Sequence, residues 1–449
     1  GSMSVKNNIL LRTNIFVCTI IILGFAGVIV IGALLLMCPV SSKAGIVTPF
    51  GKALFTSTSA VCVTGLVVYD TASYWSYFGQ GIILILIQIG GLGVITVASF
   101  VTMIAGKKIS LMQRQTMQNS LSVPQVGGIV KHMRFIFLTS FIVEILGALL
   151  LLPVFVSRYG MGGIWMSFFH SVSAFCNAGF DLMGNRTGKF SSLTSFADIG
   201  YVNLIFSLLI IIGGIGFLTW NDIVNKKMKI KQYRMQSKVI LLTSFILVSG
   251  ATLFFFFTEF SNEPAGKRVW ESLFQAVSPR TAGFNTTDLG KLSDTGKTMT
   301  MILMLIGGSP GSPAGGMKTT TIAVLIANTI AVFKRKQNAD CFGRRIEDSV
   351  IKTASSIMIM YIFLAMVSAI SISIVESLPV QTCLFETISA IGTVGLTLGI
   401  TQQLSSFSQM ILILLMFLGR VGGMTIIYAA FSHRDKDSLK YPVESIIVG

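Results

Sequence analysis

The sequence predicts an all-α polytopic membrane protein built from four copies of one structural unit. Two observations carry this prediction: long apolar runs without charge, and a segment that recurs four times along the chain. The 449 residues are 52% hydrophobic and 12% charged, whereas ordinary soluble domains are roughly 25% charged. Residues 14–37 contain no charged residue and exceed the roughly 20 residues that a helix needs to cross a bilayer. The chain is therefore expected to cross a membrane many times.

The basic residues are spread over short segments between the apolar runs. The formal net charge is +16, and the segments 107–134, 221–238 and 334–352 hold much of the Lys and Arg. Short loops rich in these residues lie on the cytoplasmic side of a membrane. The charge therefore indicates topology and not nucleic-acid binding, and part of it suits anionic lipid headgroups. Both termini are predicted to be cytoplasmic from the basic residues near them, which are Lys6, Arg12, Arg434, Lys436 and Lys440.

Four short segments share one pattern. Each begins with Phe, has Ser four residues later, and ends with Gly followed by a bulky apolar residue. They read FTSTSAVCVTGL at 55–66, FHSVSAFCNAGF at 169–180, FQAVSPRTAGF at 274–284 and FETISAIGTVGL at 385–396. Their glycines are 114, 104 and 112 residues apart, and the third copy is one residue shorter between its serine and its glycine. A fourfold internal repeat is the interpretation that this spacing favours.

Each segment lies between two long apolar runs, which predicts a unit of outer helix, re-entrant half-helix, glycine segment and second helix. The predicted units are 1–112, 113–230, 231–345 and 346–449, the last with a cytoplasmic C-terminal tail, and together they give eight spans. Non-helical backbone at membrane depth must be buried in protein or line a water-filled cavity. Four such segments can share one axis and present carbonyl oxygens to a dehydrated cation. The fold class is therefore four membrane–pore-loop–membrane repeats around one pseudo-fourfold pore, since a mere turn or packing role for each glycine explains one copy better than four.

The second apolar runs contain further features. Residues 307–316 read GGSPGSPAGG, and Pro310 and Pro313 make a continuous helix improbable there because proline lacks a donor and clashes with the preceding turn. Arg420 lies well inside the last run, where an ionisable group is costly and usually faces a cavity. The glycines of 90–93 and 213–216 are explained by close helix packing. Glu144, also within a span, is equally consistent with a lining role and with a helix contact.

The fourth segment contains Thr393-Val394-Gly395-Leu396, one letter away from the TVGY of potassium-channel filters. Together with the four units, it makes the whole chain similar to the Trk/Ktr/HKT superfamily of potassium transporters, with the layout of KtrB, the membrane subunit of bacterial Ktr systems. The resemblance implies a filter with one glycine from each unit and a gating loop beneath it. The implied filter residues are Val63, Thr64, Gly65, Asn177, Ala178, Gly179, Thr281, Ala282, Gly283, Thr393, Val394 and Gly395. The implied gating residues are Gly307, Gly308, Ser309, Pro310, Gly311, Ser312, Pro313, Ala314, Gly315, Gly316 and Arg420.

The same resemblance implies potassium uptake across the plasma membrane through a gated, channel-like pore. It also implies a homodimer, with the tail YPVESIIVG at 441–449 as a candidate contact between copies. A cytosolic nucleotide-binding regulatory ring (KtrA-like) is expected to dock on the basic loops, and membrane lipids are expected around the chain. Potassium is the only ion expected to bind, without an organic cofactor in this chain and without nucleic acid. The six cysteines form no CxxC pair and predict neither a disulfide framework nor a zinc site.

The main alternative is a sodium- or proton-coupled secondary cation transporter, because such proteins also use discontinuous helices at the midplane. The four repeats run in one direction and favour a channel-like pore, but they leave coupling open. An anion channel is disfavoured because the candidate lining is rich in carbonyl oxygens, and Arg280 in the third segment is the residue that argues most for keeping this alternative open. An enzyme is not expected. The stretch GSPAGGMKT at 311–319 departs from G-x-x-x-x-G-K-[ST] because Met317 separates Gly316 from Lys318, and the three histidines form no HExxH motif.

Overall fold

The computed structural model describes residues 2–106, 108–120, 128–430 and 440–449, and this part of the chain is mostly helical. Lys107, Arg434 and Lys436 lie outside the described residues. The helices of the first two predicted units are α1 Ser2–Met37, α2 Phe50–Val61, α3 Thr71–Tyr74, α4 Tyr77–Leu92, α5 Val94–Ile104, α6 Leu111–Ser120, α7 Ile129–Tyr159, α8 Gly162–Phe175, α9 Gly200–Ile215 and α10 Phe217–Lys226. Those of the other two are α11 Met235–Phe257, α12 Ala265–Val277, α13 Asp294–Ile306, α14 Thr319–Phe333, α15 Asp348–Glu376, α16 Val380–Ile391, α17 Ser406–Val421 and α18 Gly423–Ala430.

Each predicted unit begins with one long apolar helix. Within the described residues these helices are α1, α7, α11 and α15, and each has a stretch long and apolar enough to cross a membrane. Only 22–39% of the residues in their most apolar windows are buried inside the chain. The remaining apolar side chains are exposed on the outer surface, as expected of helices that face lipid.

A short helix follows each long one and packs against it: α2 on α1, α8 on α7, α12 on α11, and α16 on α15. Three of these short helices start directly after a proline, namely Pro49, Pro264 and Pro379. Proline suits a helix start because its missing N–H would have no partner in the first turn. The repeated phenylalanine of each short helix is at most 1% exposed, so the recurring sequence segment is anchored in the core.

The second helix is broken at a glycine in three units. Helix α4 meets α5 at an angle of 97° and α9 meets α10 at 96°. The breaks are at Gly93 and Gly216, with φ of +95° and +105°, and the last span breaks in the same way at Gly422, with φ of +97°. A left-handed glycine ends a helix. Within the described residues, the second helices of the predicted units are therefore interrupted, whereas the first helices are continuous.

Close packing does account for the glycines just before two of these breaks. A Cβ at Gly90 would overlap the carbonyl of Val61, and one at Gly213 would overlap the carbonyl of Phe175. Each of these carbonyls belongs to the last residue of a short helix. Close packing thus explains Gly90 and Gly213, whereas Gly93 and Gly216 have the additional role of breaking the helix.

The break predicted in unit three is confirmed. Helix α13 ends at Ile306 and α14 begins at Thr319, with no helix in residues 307–318 between them. Two short strands, β1 Asp340–Cys341 and β2 Arg344–Arg345, pair antiparallel in the following basic segment. Residues 307–318 are called the inner loop below.

Candidate functional site

The four repeat glycines form a closed ring. A Cβ placed on Gly65 would lie 3.1 Å from Cα of Gly179, and one placed on Gly179 would lie 3.1 Å from Cα of Gly283. The same construction on Gly283 gives 3.2 Å to Cα of Gly395. The ring closes because a Cβ on Gly395 would lie 3.0 Å from Cα of Gly65. Sequence order and spatial order therefore coincide, and the added Cβ would contact the next segment's backbone at every position.

The backbone of the four segments repeats in conformation as well. Each glycine has a positive φ, of +99°, +72°, +80° and +96° in chain order. The residue two positions earlier also has a positive φ in every unit: 50° at Val63, 56° at Asn177, 74° at Thr281 and 51° at Thr393. Such angles are uncommon for residues with side chains and are outliers for β-branched ones. The surrounding structure must hold each segment in this shape.

The repeated serine holds it. The backbone N–H of Gly65 donates to Ser59 Oγ at 3.0 Å, and that of Gly395 donates to Ser389 Oγ at 3.0 Å. In the other two units the hydroxyl donates to the carbonyl that follows the glycine, from Ser173 to Phe180 at 2.8 Å and from Ser278 to Phe284. The side chain of the repeated serine therefore connects the glycine end of each segment to the short helix.

The shorter third segment reaches the ring through a tighter turn. In units one, two and four, the backbone N–H of the residue before the glycine donates to the carbonyl of the serine five residues earlier at 2.8 Å, as Val394 does to Ser389. In unit three Ala282 donates to Ser278, only four residues earlier, at 2.9 Å. One residue is removed from the turn, and the pair of left-handed angles at Thr281 and Gly283 is kept.

An outer cavity of about 180 Å³ lies against one side of the ring, and all four glycines line it. Three carboxylates, those of Asp70, Asp181 and Asp288, are also part of its wall. A concave site lined by one sign of charge raises the local concentration of counter-ions. This face of the ring is therefore suited to cations.

The inner loop lies against the other side of the ring. A Cβ on Gly315 would overlap the side-chain hydroxyl of Thr393, and one on Gly316 would lie 2.8 Å from the carbonyl of Gly392. Both contacts are with the start of the fourth glycine segment. The inner loop therefore packs directly beneath the ring.

Hydrogen bonds tie the inner loop to the broken second helices around it. The N–H of Ser309 donates to the carbonyl of Gly214 at 3.1 Å, and that of Gly316 donates to the carbonyl of Gly419 at 2.9 Å. Phe217, the first residue of α10, donates to the carbonyl of Gly311 at 2.9 Å. The backbone groups freed by the helix breaks in units two and four are thus satisfied by the inner loop.

Arg420 and Lys318 line an inner cavity of about 270 Å³ together with Gly311, Ser312 and Gly316 of the inner loop. Arg420 Nη2 donates to the carbonyls of Gly90 at 2.6 Å and Gly91 at 3.3 Å. These are free carbonyls at the end of α4, where a cation is favoured by the helix dipole. The ion pairs among the described residues include neither Arg420 nor Lys318. The inner cavity therefore carries positive charge.

The two ambiguous ionisable residues lie beside the ring and not on its axis. Glu144 is buried, and the thiol of Cys176 donates to its carboxylate at 3.6 Å. Cys176 directly precedes Asn177, the first filter residue implied for the second unit. Glu144 therefore makes a helix contact from behind the filter residues. Arg280 lines a separate small cavity with Ile210, Ser244 and Val248. Neither residue is part of the outer or inner cavity wall.

Sequence reasoning missed two sets of residues at this site. The comparison with a phosphate-binding loop assigns Lys318 no role in the pore. Its position two residues after the proline-containing break at 307–316 is the sequence signal for a cationic side chain at this site. The second set is the polar residue after each repeated phenylalanine, which is Thr56, His170, Gln275 and Glu386. Polar residues at the same place in four apolar helices were a visible signal, and all four are at most 3% exposed.

Comparisons with known proteins agree with this architecture. The family model for TrkH, described as a cation transport protein, matches residues 17–440. The chain is 39% identical over 438 residues to the potassium/sodium uptake protein NtpJ of Enterococcus hirae. The matched region covers 95% of this chain and 96% of the relative. It is 37% identical over 437 residues to the Ktr system potassium uptake protein B of Bacillus subtilis, with 96% of each chain covered.

A solved structure supports the fold. The crystal structure of the potassium transporter TrkH from Vibrio parahaemolyticus matches with a TM-score of 0.73 at 18% identity, over 91% of this chain and 83% of that one. Fold and family model together define a membrane protein of the cation-transport class. The chain belongs to the TrkH family of cation transport proteins, and its named relatives are transporters.

Proposed function

We propose that this chain takes up potassium across the plasma membrane through one gated, channel-like pore, as the membrane subunit of a Ktr-type system. The observation that carries the proposal is the closed ring of four glycines with a cavity on each side. The relatives named as potassium uptake proteins match the chain along nearly its whole length. In this proposal the four predicted units, 1–112, 113–230, 231–345 and 346–449, surround the pore, and the glycine segments form its filter.

The filter is proposed to bind potassium through the backbone of the twelve residues named above. The short helices α2, α8, α12 and α16 end just before the filter residues of their units. The C-terminal end of a helix carries partial negative charge that favours a cation. The hydroxyls of Thr64 and Thr393 are buried without a hydrogen-bond partner among the described residues. Such hydroxyls suit the replacement of an ion's hydration shell. The acidic outer cavity would concentrate cations at the entrance.

The part of the inner loop from Gly307 to Gly316, together with Arg420, is proposed as the gate. The loop packs beneath the ring, so an ion leaving the filter meets it first. The positive charge of Arg420 then opposes the passage of a cation. Opening requires the loop to leave the ring, and the hydrogen bonds from Arg420 to the end of α4 favour the closed state.

The proposed complex is a homodimer with a cytosolic nucleotide-binding ring. Three relatives carry the name of the Ktr system, and the basic loops offer docking surfaces. The tail supports a contact between copies, because Tyr441, Val443 and Ile447 are more than 90% exposed. Both termini are proposed to be cytoplasmic, in accord with the positive-inside rule.

The test is tracer rubidium uptake into potassium-loaded liposomes that contain the purified chain, with Gly395→Asp measured in parallel. We expect uptake that external potassium blocks, that sodium blocks poorly, and that the variant lacks. Uptake that ignores the substitution would contradict a fourfold filter. Uptake that requires an imposed sodium or proton gradient would instead favour the coupled-transporter alternative.

A further inference from the structure

A carboxylate lies directly behind the fourth glycine segment. It belongs to Glu386, which follows the repeated phenylalanine of α16 and is 0% exposed. The other units have Thr56, His170 and Gln275 at this place. The fourth unit is therefore the one whose short helix carries a buried acid at the repeated polar position.

The carboxylate binds two hydroxyl groups of the chain that returns from the ring. Thr397 Oγ1 donates to Glu386 Oε2 at 2.6 Å, and Thr401 Oγ1 donates to Oε1. Thr397 lies two residues after Gly395 and lines the outer cavity. Its hydroxyl also accepts the N–H of Gly399 at 3.1 Å. Through Thr397, Glu386 holds the turn that follows the fourth segment.

The same network reaches the point where the ring closes. Gln402 follows Thr401, and its amide donates to the carbonyl of Val67 at 2.9 Å. Val67 lies two residues after Gly65, the glycine that Gly395 contacts across the ring. The turn that Glu386 binds is therefore hydrogen-bonded, through its neighbour Gln402, to the chain that follows the first segment.

The equivalent residues make different contacts. His170 Nε2 accepts the N–H of Leu182 at 3.0 Å, and the amide of Gln275 donates to Thr300 Oγ1 at 3.1 Å. Thr56 donates to the carbonyl of Lys52, one turn back in its own helix, at 3.1 Å. Of the four, Glu386 is the residue that binds two hydroxyl groups, and one of them, that of Thr397, belongs to the wall of the outer cavity.

We propose that Glu386 is a positioning residue that sets the discrimination between potassium and sodium by fixing the outer end of the fourth segment through Thr397. The inference rests on the proposed function. Cations of different radius are distinguished by the separation and number of the oxygens around them. A segment whose neighbours are held by buried hydrogen bonds keeps its geometry better than one that is free to relax.

The experiment measures the concentrations of external sodium and potassium that half-block rubidium uptake into liposomes. The variants are Glu386→Ala, Glu386→Gln and Thr397→Val. Glutamine has nearly the same shape and can bond both threonine hydroxyls, whereas alanine and valine each remove the attachment. The matched control is Glu376→Ala, because Glu376 is a carboxylate of the same unit that binds Ser405 and Ser408 away from the ring.

We expect Glu386→Ala to lower the sodium-to-potassium ratio of half-blocking concentrations about tenfold, the size expected from losing a hydrogen bond to a carboxylate. Thr397→Val should do the same, and it tests the proposal alone if Glu386→Ala does not assemble. Glu386→Gln and Glu376→Ala should keep the wild-type ratio.

Unchanged ratios in both Glu386→Ala and Thr397→Val would overturn the proposal. So would equal losses in Glu386→Gln and Glu386→Ala, because the charge and not the attachment would then be what matters. A wild-type chain without potassium-blocked uptake would contradict the proposed function itself. That result is recognised before any variant is compared.

Discussion

The two sides of the glycine ring are built differently. The outer side repeats one design four times, with the same pair of left-handed residues and the same serine in every unit. The inner side has one repeated feature, the glycine that breaks the second helix in units one, two and four. What lies beneath the ring is not repeated, because one loop from unit three packs there and Arg420 from unit four lines the inner cavity. An ion filter needs similar oxygens all around an ion, whereas a gate needs only one element that moves. Under the proposed function, the repeated part of the site selects the ion and the unrepeated part controls its flow.

The largest expected effect comes from breaking the ring. Gly395→Ala adds a Cβ that meets the backbone of Thr64 and Gly65, at a residue with φ of +96°. The left-handed angle alone costs roughly 1–2 kcal/mol, and the overlap adds to it. We expect rubidium uptake in liposomes to fall about 100-fold, as a combined penalty near 3 kcal/mol implies.

Gly160→Ala, at the end of α7, is the matched control for the ring variant. Gly160 has φ of +68°, but a Cβ there would meet nothing within 4 Å. It carries the same backbone strain without the contact. Equal losses of uptake in the two variants would show that backbone strain, and not the closed ring, explains the effect.

A smaller effect is expected from removing a serine that supports the ring. Ser389→Ala leaves the N–H of Gly395 without its acceptor, and an unsatisfied buried donor costs about 1–3 kcal/mol. The sodium-to-potassium ratio of half-blocking concentrations should fall about tenfold. Ser408→Ala, which removes a hydroxyl bound to Glu376, should leave the ratio unchanged. A wild-type ratio in Ser389→Ala would contradict the supporting role.

On the inner side, Arg420→Gln should raise uptake. The substitution removes a positive charge from the inner cavity and weakens the bonds to the carbonyls of Gly90 and Gly91. If the closed state is destabilised by about 1 kcal/mol or more relative to the open state, the ratio of open to closed chains rises about fivefold or more. Initial rubidium uptake at equal protein density is the measurement, with Arg268→Gln as control because Arg268 stacks on Phe256, away from both cavities. Reduced uptake in Arg420→Gln would contradict an opposing charge.

The smallest effects should come from the helix breaks. Gly422→Ala meets nothing closer than Thr425 Oγ1 at 3.6 Å, whereas Gly216→Ala would place its Cβ 2.5 Å from the carbonyl of Pro310 in the inner loop. Gly422→Ala should cost only the roughly 1–2 kcal/mol of its left-handed angle, and Gly216→Ala should cost more. Thermal unfolding of both variants in detergent tests this order, and equal melting temperatures would contradict the contact with the inner loop.

The sequence predicted the repeated features and the proline break well, because both are marked by residue types with strong backbone preferences. The bends at Gly93 and Gly216 were not predictable from hydropathy, since the apolar run continues through each of them. The glycine that breaks the helix stands next to glycines that only pack, and composition does not distinguish the two. The roles of Ser389 and Glu386 depend on hydrogen bonds across the fold, which a linear pattern does not contain.

The most direct test of the contrast between the two sides is to delete Gly311 to Gly316 and measure two quantities on the same liposomes. These are the initial rate of rubidium uptake and the sodium-to-potassium ratio of half-blocking concentrations. We expect the rate to rise while the ratio keeps its wild-type value, because the inner loop obstructs flow and the ring selects the ion. An unchanged rate, or a ratio that falls together with a rising rate, would contradict the division between a repeated outer filter and a single inner gate.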